Sequence, residues 1–436
     1  MRIGLGLTLG LMMLPVLNAP ASGAESFLGF AYEPYVGQWQ DNPSWNGQDP
    51  LSRYSTPAWG GTYNSGNWSV ASQIDVLAPY TTRLATYSAG VFPWNGAPAP
   101  NLEDNALVAP ALAAYNKSSG HTITLYQGIY QQVLNGTLGT WSGNSFTPNS
   151  VMAAEVNEAV QLSNEANATS SGTVVGLVFT NEYITDQNTT KDVGGLIQWY
   201  KAQSPSMSLP IAVRAQTWGQ VKNAGAYADQ LKALIGQIDI VMANIYPSAE
   251  TVRQCIAAGS TQAAVDNVTA TYYDWKSAVL AVNSNVKVVL SETGWPVGGV
   301  WYDDAQGKVE GSATLAKDFF DKIKSWADAQ SVEVYYFEAF SEPYKSNKNW
   351  TPQDGPWPSF PGSPPAAQQR VDGAEGRFGV WHYTAAHAGG TFVADFSASR
   401  LSETSHAGLA CPAAGVAMLA VALLAVFWAA RHRRNT

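Results

Sequence analysis

Eight apolar runs of strand length, most of them separated by helix-period patterns, constrain this chain more than any other feature. They span residues 27–31, 82–87, 122–127, 174–180, 211–215, 238–244, 287–290 and 333–337. Each is short and rich in β-branched, aromatic or other apolar residues, as strands of a buried sheet are. Between two of them, Thr147 reads as an N-cap and Pro148 as the first helical turn. Met152, Val156, Ala159 and Leu162 then share one helix face. Farther on, Leu315, Phe319, Ile323 and Trp326 recur at helical spacing. Strand alternating with helix implies a parallel sheet, and eight repeats predict an α/β chain closed as a (β/α)8 TIM barrel. An open doubly wound sheet is the alternative, but the Gly-rich phosphate fingerprint it often carries is absent.

Two of the runs end in a carboxylate. Val286 to Leu290 is apolar and β-branched, and it delivers Glu292 to a turn marked by Gly294, Trp295 and Pro296. Val174 to Phe179 likewise leads to Thr180, Asn181 and Glu182. A buried strand has no use for an acid in its line, so each Glu belongs where its strand leaves the core. In a parallel barrel those ends open onto one face, so both acids are expected there. Two carboxyl groups suffice to break a glycosidic bond. One protonates the departing oxygen and the other attacks or stabilises the anomeric carbon. Separated by about 5–5.5 Å they predict retention of configuration, and by roughly 6.5–9.5 Å inversion.

Composition narrows the ligand. Charged residues make up only 13%, net charge is −9, and there are 16 Trp and 20 Tyr. No basic block lies in the body of the chain, which argues against nucleic acid. Flat aromatic faces over a weakly charged groove suit a neutral polysaccharide. The histidines, His121, His382, His387, His406 and His432, are scattered without metal-ligand spacing. Neither a Gly-x-Ser-x-Gly elbow nor a P-loop is present. No metal, cofactor or protein partner is expected.

The ends read as addressing segments. Arg2, an apolar run from Ile3 to Val16 and small residues up to Ala24 predict a secretory signal over 1–24. Residues 25–386 are expected to form the barrel and 387–408 a polar stalk. The uncharged stretch 409–430 is long enough to span a bilayer, with Arg431, Arg433 and Arg434 in a basic cytoplasmic tail, 431–436. That places the body at the cell surface, anchored by a C-terminal transmembrane helix; a removable lipid-anchor signal is the rival. Seven Asn-x-Ser/Thr tripeptides, at Asn67, Asn116, Asn135, Asn167, Asn188, Asn267 and Asn349, are glycosylation candidates. Of two cysteines, Cys411 lies in the C-terminal apolar run, so no internal disulfide is expected and Cys255 reads as a buried thiol.

Ser291-Glu292-Thr293-Gly294-Trp295-Pro296 after an apolar strand resembles the signature of glycoside hydrolase family 17, the β-1,3-glucanases and β-1,3-glucan transglycosylases. Further stretches resemble that family in order. They are Gly29 to Tyr35, Arg83 to Ser88, Thr180-Asn181-Glu182, Ala243 to Pro247, Phe337 to Lys345, and Glu375 to Trp381. The resemblance implies Glu182 as general acid/base, Asn181 near the sugar 2-hydroxyl, and Glu292 as nucleophile. It implies Tyr32, Tyr246 and Trp295 as groove-lining rings, with Glu338 and Lys345 as supporting polar residues. Ser341 departs from the pattern, where an Asp is usual, and the segment from Lys345 to Glu375 is longer than expected. The function so implied is a retaining glycosidase of β-1,3-glucan. A β-1,3-glucan transglycosylase uses the same two acids, a non-catalytic glucan-binding wall protein needs neither, and another glucan linkage stays open.

Overall fold

Eight parallel strands close into a barrel. They are β1 (Leu28–Ala31), β2 (Arg83–Ala85), β3 (Thr124–Ile129), β4 (Val174–Asn181), β5 (Ile211–Ala215), β6 (Ile240–Asn244), β7 (Lys287–Thr293) and β8 (Val334–Tyr336). Each pairs with its neighbours in sequence, and β8 closes on β1 with Leu28 opposite Val334. The computed structural model describes residues 26–34, 69–92, 101–102, 104–134, 136–203, 208–341, 373–383, 391–398 and 400–401. All eight expected strands are present. The helices α1 (Val70–Leu77), α2 (Val108–Ser119), α3 (Ser150–Thr169), α4 (Gln187–Ala202), α5 (Ala226–Ile235), α6 (Ala249–Ala258), α7 (Gln262–Val282) and α8 (Ala313–Gln330) follow the strands in turn, with two after β6.

Strand periodicity divides the core in two. Leu28, Phe30, Leu84, Leu125, Leu177, Phe179, Val213, Val241, Leu290 and Val334 pack outward under the helices. Ala31, Ala85, Tyr126, Val178, Ala212, Met242, Val289 and Tyr335 fill the barrel interior instead. The face of α3 runs through Met152, Val156, Ala159 and Leu162, and that of α8 through Leu315, Phe319 and Ile323, all buried. Trp326 packs partly buried beside them. Cys255 is a buried free thiol on α6.

Two expectations change. Thr147 and Pro148 do not open α3; they end a strand, Ser145–Pro148, hairpinned with Gly139–Ser142. The cap is Asn149, whose Oδ1 accepts from the N–H groups of Val151 and Met152. The compact unit also runs to Leu401, so the first part of the expected stalk belongs to the barrel. Phe392–Ala394 pairs antiparallel with Trp381–Tyr383, Phe392 packs on Phe340, and Phe396 on Phe320. The two Phe side chains tie down a segment whose polar neighbours resemble a linker. The expected signal, 1–24, and the apolar stretch 409–430 lie outside the described residues. Among the described residues no helix is long and apolar enough to cross a membrane.

Candidate active site

The C-terminal ends of β4, β6 and β7, where the regular ladder breaks, carry the acids and the amide between them. Register shifts fall between Phe179 and Asn181, between Ala243 and Asn244, and between Leu290 and Thr293. Such bulges re-aim side chains, and here they do so at the barrel rim. Thr180 and Glu182 hold φ of 61° and 56°, left-handed values that non-glycine residues seldom adopt. The side chain of Gln131 fixes the turn, accepting from the Asn181 N–H at 2.7 Å and donating to the Asn181 carbonyl at 2.8 Å. The Glu182 N–H bonds to the Arg214 carbonyl at 3.0 Å.

One amide joins the two acids. Asn244 Nδ2 donates to Glu182 Oε1 at 2.7 Å and to Glu292 Oε2 at 3.0 Å, so those oxygens lie at most 5.7 Å apart, the sum of the two legs. The two N–H directions of an amide diverge by about 120°, which puts the oxygens roughly 5 Å apart. Ser291 Oγ donates to Asn244 Oδ1 at 2.8 Å, fixing which end of the amide faces the acids. Asn181 Oδ1 stands 3.4 Å from the same Nδ2, placing Asn181 beside the pair.

Glu292 is nearly enclosed. Its Oε1 accepts from the Tyr246 hydroxyl at 2.8 Å, and its Oε2 from the Tyr87 hydroxyl at 3.0 Å. Burial, and then the neighbouring Glu182 charge, push its carboxyl up to about 7. Arg214 and the two tyrosine hydroxyls pull the other way. Burial and the Glu292 charge likewise drive the Tyr246 hydroxyl well above its usual range, so it stays a donor. The Tyr246 ring meets Phe337 and Phe378 edge-on, and its partly exposed side belongs to the site.

Two of the expected groove rings lie elsewhere. Tyr32 follows Leu28 and Phe30 on the outward face, packs against Phe340 and donates to Gln73 Oε1 at 3.0 Å. Period-two alternation sends it under α1, because Ala31 holds the inward position. Trp295 is fully buried behind the barrel wall against Phe319 of α8 and Trp301. Gly294 makes that turn possible: a Cβ there would come within 2.0 Å of the Phe337 carbonyl oxygen. Glu338, just after β8, is buried beside Phe337, whose ring packs on both Tyr87 and Tyr246. Lys345 lies outside the described residues.

The residues that complete the site carried quieter signals. Tyr87 and Asn244 stand within the motif stretches but without an expected role. Arg214 is a lone charge in the apolar run Ile211 to Ala215, at an inward position, and is fully buried. Glu155 on α3 is also fully buried. It accepts from Ser88 Oγ at 3.0 Å and from the N–H groups of Ala89, Val91 and Tyr130 at 2.7, 2.9 and 2.8 Å. It thus ties together the segments that present Tyr87 and Gln131. Among the described residues no cluster of three or more metal-ligating side chains occurs.

Known proteins resemble this chain in fold or in sequence. A solved endo-laminarinase from Formosa Hel1_33_131 superposes with a TM-score of 0.54 at 17% identity, over 81% of this chain and 83% of its own, a likeness of fold. The "Probable glucan endo-1,3-beta-glucosidase btgC" of Aspergillus flavus is 30% identical over 130 residues, 27% of this chain and 18% of that protein. The "Glucan 1,3-beta-glucosidase" of Schizosaccharomyces pombe is 27% identical over 164 residues, 36% of this chain and 43% of that protein. The matched region thus spans less than a fifth of the Aspergillus relative and under half of the yeast one. A family model described as the BtgE/BtgC glycoside hydrolase domain matches residues 109–354, more than half of the chain. That span includes both strand-end acids, and by it the chain belongs to the BtgE/BtgC glycoside hydrolase domain family.

Proposed function

We propose that this protein is a retaining glycoside hydrolase that cleaves β-1,3-glucan through a covalent glycosyl-enzyme. One observation carries the reading: the Glu182 and Glu292 carboxylates meet on the single amide of Asn244, within the spacing of retaining pairs. Family membership supports the chemistry, and the relatives' names supply the linkage. In this reading the Tyr246 and Tyr87 hydroxyls hold both oxygens of Glu292 as the nucleophile, and partly exposed Glu182 serves as the general acid. Glu182 protonates the leaving oxygen while Glu292 attacks the anomeric carbon. Having given its proton to the leaving oxygen, Glu182 is left ionised beside a neutral ester and takes a proton from the incoming acceptor, acting as base. Asn181 and Tyr246 adjoin the pair as sugar contacts, and the family resemblance assigns Glu338 and Lys345 supporting polar roles.

Glu292→Gln tests the assignment. Hydrolysis of a soluble β-1,3-glucan should fall by on the order of a thousandfold or more while thermal unfolding barely moves. A fully active variant would refute it. Water and a second glucan are both competent acceptors for the same ester. Incubation with one defined oligosaccharide yields only shorter products if water is used, and longer ones if sugar is.

Cell-surface display is part of the proposal, supported by the uncharged stretch 409–430 and the arginines that follow it. The protein should stay with alkali-washed membranes and be digested by protease added outside intact cells. Recovery in the cytosolic fraction would overturn this; release by a phospholipase would replace the helix with a lipid anchor.

A further inference from the structure

Arg214 is a cation with an unusual address. It sits inside the barrel, fully buried, and none of its three guanidinium nitrogens has a hydrogen-bond partner among the described residues. A buried charge without a paired acid opposes folding, so its presence calls for a use. Register gives its level. Arg214 pairs with Met242, Met242 with Val289, and Asn244 with Glu292, which sets Arg214 one inward layer beneath the amide and the nucleophile candidate. Its guanidinium carbon lies 4.5 Å from the centre of the Tyr87 ring, whose hydroxyl donates to Glu292 Oε2.

We propose that Arg214 is a positioning residue for the acid pair: from beneath, across the Tyr87 ring, its guanidinium favours the ionised, nucleophilic form of Glu292. The proposal rests on the reading of Glu182 and Glu292 as the reacting pair. Among the described residues, the titratable and charged groups that act on Glu292 are the Glu182 carboxylate after β4, the Arg214 guanidinium from β5, the Tyr246 hydroxyl after β6 and the Tyr87 hydroxyl after β2. Arg214 is the cation of that set. With no carboxylate bonded to it among the described residues, its field is not neutralised at source. The path over the ring and its hydroxyl to Glu292 Oε2 is about 10 Å at most, and at an effective dielectric near 20 a unit charge there shifts a carboxyl by about one pH unit.

The test compares pH profiles of kcat/KM on a soluble β-1,3-glucan for wild type, Arg214→Met and Arg214→Lys, with folding followed by circular dichroism. In Arg214→Met the acid limb should move up by about one pH unit, a tenfold loss on the acid side, because the ionised nucleophile is no longer favoured. In Arg214→Lys the limb should return to its wild-type position, whatever the maximal rate. A limb unmoved in folded Arg214→Met, with a uniform drop in rate, would show a packing role only and overturn the proposal. A downward shift would do the same. Where Arg214→Met fails to fold, Arg214→Gln is read against Arg214→Lys by the same criterion. Full activity in Glu292→Gln sinks the acid pair itself; an inactive Glu292→Gln with an unmoved Arg214 limb sinks only this inference.

Discussion

Replacing Glu155 by Gln should make the barrel's stability less dependent on pH, with a size that follows from its burial. Glu155 is fully buried, and desolvation pushes its carboxyl up to about 7 from 4.5, even against three backbone donors and a hydroxyl. The folded state therefore binds its proton more tightly than the unfolded chain does. The stabilisation is complete below pH 4.5 and is lost as pH rises through 7. A rise of this size corresponds to about 3 kcal/mol across that window. Below pH 5 the wild-type side chain is neutral, and Gln differs from it by little more than OH against NH2. Above pH 7 the wild type must hold a buried charge, and Gln does not. The destabilisation caused by Glu155→Gln should therefore shrink by about 3 kcal/mol between pH 5 and pH 8. Glu292 contributes a similar slope to both proteins and cancels in the difference. Urea unfolding at half-unit intervals of pH measures it. A mutational penalty constant across the range, or one that grows with pH, would refute the reasoning and mean that the four donors outweigh desolvation.

Gly294→Ala should cost about 3 kcal/mol or more, because the added methyl meets the Phe337 carbonyl oxygen at 2.0 Å and backbone there cannot give way. Thermal unfolding checks it, and wild-type stability would refute it. In a glycosylating secretory host, Asn188 and Asn267 should accept glycans because both are exposed. Asn116 should not: it is buried and its amide bonds Ile123 and Thr173. Glycopeptide mapping reads occupancy, and sugar on Asn116 in folded protein would contradict the packing.

The strands were legible because a parallel sheet buried on both faces needs near-continuous apolar runs, and 174–180 or 287–290 admit few other fates. The acids were legible for the complementary reason: Glu182 and Glu292 each interrupt such a run at its end. Their approach was not legible. It depends on three local register shifts and two left-handed residues, and sequence spacing over more than a hundred positions carries no trace of them. Tyr32 could have been placed correctly, since Leu28, Phe30 and Tyr32 recur with period two and share an outward face. Trp295 could not, because its direction is set by the turn at Gly294. Arg214 was visible as a charge in an apolar strand, whereas Glu155 looked like any helix-surface acid. Its burial follows from which loops happen to cross α3.

The irregular backbone and the buried acids are parts of one arrangement. Left-handed φ at Thr180 and Glu182 costs on the order of 1–3 kcal/mol per residue and persists only where surrounding contacts over-determine it. Gln131 supplies two of those contacts, to the N–H and carbonyl of Asn181, and the Arg214 carbonyl supplies a third. Gln131 follows directly on Tyr130, whose N–H is held by Glu155. The same carboxylate holds Ser88, Ala89 and Val91, next to Tyr87. A single acid on α3 thus braces both the clamp on the Glu182 turn and the tyrosine that donates to Glu292. The two candidate acids are positioned through backbone anchored to a helix outside the barrel. Their separation is thereby tied to the packing of α3 against β3 and β4, and any change that lets α3 shift should loosen both acids together.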